Sequence, residues 1–152
     1  MKAKIHAAAG VTALVLVLSF WLSTVVTELM QDPVAITAAK AWILRGMAVL
    51  VPALAIAGAS GFSLAAGWKS RQVERKRMRM KLAAANGLII LVPSAFFLAA
   101  RAEAGLFDAT FLAVQGLELV AGVVNIALLS LNLRDGLAMR HGRMRAQRVI
   151  SA

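Results

Sequence analysis

A chain of 152 residues that is 61% hydrophobic, with a mean hydropathy of +0.78, carries more apolar surface than one aqueous core of this size can hide. The absence of cysteine excludes disulfides, thiolate metal sites and c-type haem attachment. A net charge of +10 would suggest nucleic acid in a soluble protein. Here no aromatic residue interleaves the basic stretches, so the excess is read as loops lying against anionic lipid.

The first apolar segment runs from about Ile5 to Thr27 behind Lys2 and Lys4. It is longer than the apolar stretch of a secretory signal and ends without a small-x-small cleavage site, so it is expected to stay as an anchor. His6 precedes Gly10 at its start, an arrangement also seen in haem b helices. His6 is therefore a candidate haem ligand, with an interfacial histidine as the plain reading. Thr12, Ser19, Ser23 and Thr27 share a face of this helix.

The second segment is expected from Ala41 to Gly67, with Arg45 as its charge and Lys40 just outside it. Trp42 and Trp68 would stand about 39 Å apart along a helix, one at each headgroup boundary. Ala53, Ala57, Gly61 and Ala65 form one small-residue face, and Ala55, Ala59, Ser63 and Gly67 an opposite one. Close helix packing is expected there, with a homodimer contact as the alternative. Arg45 lies about one turn inside the boundary. Its depth matches Glu28 at the end of the first helix, so a Glu28–Arg45 ion pair is expected, against simple snorkelling to lipid phosphate.

Lys69 to Lys81 is a basic run that fixes orientation or lengthens a flanking helix. The third segment, Leu82 to Ala100, carries no charge. Pro93 within it, like Pro52 in the second, is expected to bend its helix. The fourth, Ala109 to Leu133, holds a polar stripe of Gln115, Glu118, Gly122, Asn125 and Asn132. A polar face in hydrocarbon is costly, so it must turn toward other helices or water, with Ser19 and Ser23 as hydroxyl partners. Glu118 has no charged neighbour in sequence and is expected to be a protonated acid near the midplane. Asp135-Gly136 reads as the helix exit.

Fourteen of the 17 Lys and Arg residues fall on the side of the two termini and the 68–81 loop. Lys40, Arg45 and Arg101 fall on the other. Positive residues stay in the cytoplasm. The expected fold class is therefore all-α: an integral membrane four-helix bundle, N-in/C-in, forming one domain over 1–152. Its helices are expected at about 5–27, 41–67, 82–100 and 109–133, with a basic cytoplasmic loop at 68–81 and a basic tail at 134–152.

The segments Val114-Gln115-Gly116-Leu117-Glu118 and Asn132-Leu133-Arg134-Asp135-Gly136 resemble those of small four-span proteobacterial inner-membrane proteins of unassigned function. That resemblance implies architecture and a bacterial inner-membrane location, not an activity. No nucleophile with a nearby base and no metal-binding cluster appears, so an enzyme is not expected. The first expectation is an accessory or scaffold component of a membrane assembly, as a homo-oligomer or within a larger complex. The alternatives are a proton-coupled small-solute transporter subunit using Glu118, and a haem b electron-transfer anchor using His6. The first two require no cofactor.

Overall fold

Asp32 opens the second helix with its own backbone and side chain: its carbonyl accepts from Ile36 (2.9 Å) and its Oδ1 from the Val34 amide (2.9 Å). Proline follows at the first helical position, where its missing N–H costs nothing. The computed structural model, which describes residues 2–65 and 71–150, accordingly starts this helix at Pro33 rather than Ala41. The side chains of 2, 64, 65, 72 and 139–150 lie outside that description. The chain is all-helical: α1 Lys2–Met30, α2 Pro33–Ala65, α3 Arg71–Asn86, a π turn Gly87–Leu91, α4 Val92–Glu103 and α5 Ala109–Ile150.

Four stretches are long and apolar enough to cross a membrane: Ala3–Met30, Pro33–Ser63, Val73–Glu103 and Ala109–Ala138. The third is built from α3, the π turn and α4 in line. Large apolar side chains point outward on all four, among them Val15, Val49, Ile89 and Val120, the last two 73% and 66% exposed. Water would not tolerate such a surface, and lipid does.

The connections are short. Between α1 and α2, Gln31 takes a left-handed conformation (φ 51°). Between α4 and α5, Gly105 (φ 70°) lets the chain reverse: its amide donates to Ala102 (3.0 Å) and Leu106 donates to Arg101 (2.9 Å). Those two bonds form a Schellman ending, which needs a residue without Cβ strain at that place. Asp108 then caps α5, accepting from the Phe111 amide (3.0 Å) and pairing with Arg101, whose guanidinium also stacks over Phe97. The Phe111 amide and then the Arg101 charge hold the Asp108 carboxyl below its ordinary value.

Around the bundle the spans follow the order α1, α2, α3–α4, α5, so that α2 and α5 stand on one diagonal without close backbone approach. Two apolar knots hold the half away from the basic residues. Phe20, Ile43, Met47 and Ala95 join α1, α2 and α4, while Ile36, Leu98, Ala102 and Phe111 join α2, α4 and α5. Gly46 makes room for the Phe20 ring: a Cβ there would stand 2.4 Å from its tip.

Pro52 lies inside the continuous helix α2, and Pro93 stands two residues after the π turn, where the Val92 amide reaches back five residues to Gly87. Of the two readings of the basic run, the lengthened helix is the one found, since α3 begins at Arg71. Asp135-Gly136 is no helix exit, because α5 continues to Ile150. Asp135 is instead held sideways by Arg79 of α3 (2.5 Å), and Gly136 keeps a negative φ, so nothing turns the chain.

Candidate functional site: a buried ion pair beside an apolar cavity

Starting α2 at Pro33 places Lys40 two turns inside a helix. Ile36, Lys40, Ile43 and Met47 then recur at steps of four, three and four, which is one face. That face is the core: Ile36, Ile43 and Met47 are buried, and Lys40 is only 2% exposed. Its long stem crosses the bundle diagonal, and its Nζ reaches Glu118 Oε2 on α5 at 2.6 Å. Gln115, one turn earlier on α5, donates its Nε2 to the same oxygen at 3.1 Å. From α1, the buried Thr24 hydroxyl accepts from Lys40 at 3.5 Å. Three helices thus meet at one buried charge pair.

This arrangement overturns the expectation of a solitary Glu118, since a cation stands at ion-pair distance from it. The Glu28–Arg45 pair is not formed among the described residues. Arg45 is exposed, and Glu28 Oε1 is buried with no donor. Glu28 lies instead within electrostatic range of Lys40 and Glu118. It also lines a pocket of about 200 Å³ with Gln31, Phe107 and Phe111, at the end of the bundle away from the basic residues.

The rest of the polar stripe continues down α5. Asn125, 1% exposed, accepts at its Oδ1 from Asn86 Nδ2 (3.2 Å), and Asn86 also donates to the Ala121 carbonyl (2.8 Å). Asn132 is buried with both side-chain polar atoms unpartnered. Ser23 donates within its own helix to Phe20 (2.9 Å), and Ser19 is half-buried outside the cluster. The hydroxyl that α1 brings to the ion pair is Thr24.

Between the ion pair and Asn125 lies a cavity of about 360 Å³ bounded by all four spans. Its wall is apolar apart from Thr24, Glu118 and Asn125. Trp21 forms part of it, held by a bond from its indole N–H to the Leu119 carbonyl (3.0 Å). Gly122 admits that ring: a Cβ there would sit 2.8 Å from Trp21. Of the expected packing face, Ala53 and Ala57 are buried and Gly61 is half-buried. The side chain of Ala65 lies outside the described residues. Gly61 faces His6 and Met80, whose atoms would each be 3.0 Å from an added Cβ.

His6 packs on α2 rather than against Gly10. Its Nδ1 donates to the Ala57 carbonyl (3.0 Å), with Ser60 Oγ at 3.2 Å. The cavity does not include it. Its ring is used as a bridge between two helices, and His141 lies outside the residues whose side chains are described. Among the described residues no three His, Asp or Glu side chains gather as metal ligands would.

Lys40 and Thr24 are the residues that sequence reasoning missed. The signal for Lys40 was present in Asp32-Pro33, a helix start, followed by the Ile36–Ile43–Met47 stripe that contains it. Neither a family model nor a curated protein nor a solved structure matches the chain. The class of protein is therefore defined by its fold, an all-helical chain with four apolar helices long enough to span a membrane.

Proposed function

We propose that this is a multi-pass inner-membrane protein, N-in/C-in, that binds and moves a small solute in the membrane with Glu118 as its ionisable group. The observation that carries this is one carboxylate in two roles: Glu118 closes a buried ion pair with Lys40 and also lines the 360 Å³ cavity. A purely structural pair needs no cavity beside it. A cavity between helices with a few convergent polar groups is how binding sites in such bundles are built.

Proton coupling is supported by the acceptors around the pair. Glu28 Oε1 and Gln115 Oε1 are both buried without donors. Glu28 also borders the pocket at the non-basic end of the bundle, so a carboxyl stands between that end and Glu118. Intramembrane carboxyls in series are the usual material of proton relays. Orientation is supported by the charge count, fourteen Lys and Arg on the side of the termini against three on the other.

The test is flux driven by a pH gradient in reconstituted vesicles. Both Glu118→Gln and Lys40→Met/Glu118→Gln should abolish it, the second leaving no buried charge without a partner and so serving as the folded control. Unchanged flux would reject the role. An accessory subunit of a larger assembly would then be the better reading, to be checked by co-purification in mild detergent.

A further inference from the structure

The cavity has a side door. Ala55 and Ala59 of α2 and Ala84 and Leu88 of the third span line it and are exposed, and α2 makes no close backbone approach to the π turn. It therefore opens between α2 and the α3–π-turn segment, toward the medium in which the outward apolar side chains sit. Small residues on both lips keep the opening clear. One lip is the π turn, where Val92 bonds five residues back and Pro93 has no N–H to return to the turn before it.

The charge balance inside limits what can occupy the space. Lys40 neutralises Glu118, and Thr24 and Asn125, the other polar side chains of the wall, are uncharged. A charged guest would be desolvated without a counter-ion, whereas an uncharged one loses nothing of that kind. Both bonds to Glu118 fall on Oε2, leaving Oε1 as an acceptor for a guest. Asn125 bonds through Oδ1 alone, leaving its Nδ2 as a donor. These two groups are seven positions apart on α5, about 10 Å along the axis.

Resting on the solute-binding reading above, we propose that the cavity takes an uncharged, lipid-soluble molecule with a hydroxyl or N–H at one end. It enters sideways from the bilayer between α2 and the π turn and donates to Glu118 Oε1. Its apolar body fills the space toward Asn125, where a weak acceptor finds the Nδ2 amide.

The experiment uses the full chain in lipid nanodiscs and a diazirine-bearing long-chain alcohol as photoprobe. Labelling should map to 51–62, 84–91 and 118–125, and an unlabelled alcohol of the same chain should displace it. A quaternary ammonium of that chain length should compete at least tenfold more weakly. Ala59→Trp and Ala84→Trp, each on an exposed lip, should cut labelling at 118–125 at least tenfold with thermal unfolding unchanged. Equal competition by the ammonium, or full labelling in both Trp variants, overturns the proposed guest or its route while solute binding stands. No displaceable labelling of these segments overturns the solute-binding reading itself.

Discussion

Lys40→Met removes the ammonium and keeps most of the apolar stem, so it isolates the charge. At 2.6 Å and an effective dielectric of about 20, the gross attraction in the Lys40–Glu118 pair is about 6 kcal/mol. Most of that is offset by the desolvation of both groups, since Lys40 is 2% and Glu118 13% exposed. Removing one partner leaves the other without its compensation, at a cost of about 3–5 kcal/mol. That is roughly a 100- to 4,000-fold shift in the folding equilibrium. In Lys40→Met/Glu118→Gln the uncompensated charge is gone, and stability should return to within about 1 kcal/mol of the parent. The cycle then shows a coupling of at least about 2 kcal/mol, rising by whatever Glu118→Gln costs alone. The assay is unfolding of purified protein in mixed micelles on raising the denaturing detergent fraction. It can be followed by fluorescence, because the Trp21 indole bonds to Leu119 beside the pair. If Lys40→Met lies within about 0.5 kcal/mol of the parent, or if the two single losses simply add, the diagonal pair does not hold the bundle.

Gly46→Ala should destabilise by about 1–3 kcal/mol in the same assay, because its Cβ would meet Phe20 at 2.4 Å inside an apolar knot. Gly116→Ala, with nothing within 4 Å, should be neutral or stabilise by up to about 1 kcal/mol through helix propensity. Asp108 has a folded pKa below its unfolded value, so its contribution is complete above about pH 4 and fades as pH falls through the folded value. Asp108→Asn should therefore remove that acid-limb dependence from thermal unfolding curves, and an unaltered pH profile would show that the cap contributes nothing. Exchanging the charges in Glu28→Arg/Arg45→Glu should not rescue either single variant, since Arg45 is exposed and the two do not pair. Stability measured for all three variants decides it, and mutual rescue would restore the expected pair.

The polar stripe on α5 was legible because a 3.6-residue period groups Gln115, Glu118, Asn125 and Asn132 whatever surrounds the helix. Their partners were not legible in the same way. Asn86 falls within the expected third span, but its bond to Asn125 depends on how that span is turned against α5. Arg45 attracted attention by being charged within an apolar run, yet it lies on the outer side of α2. Lys40 falls just outside the apolar run, because hydropathy locates a helix by its apolar middle and not by its cap.

Composition and local pattern, read without coordinates, were enough to establish four apolar helices long enough for a bilayer, the uneven distribution of positive charge, and one polar face on the last helix. Those properties follow from how each stretch of chain interacts with its solvent, and they need no knowledge of neighbours. The choice of Lys40 as partner to Glu118, 78 positions away, was made by tertiary structure. It depends on how α2 and α5 are rotated about their axes across the diagonal of the bundle. That rotation is set by the packing of Ile36, Phe20 and Phe111 in the two apolar knots. The cavity likewise exists only in the assembled fold, as the space that four helices leave between them where α2 and the π turn stand apart.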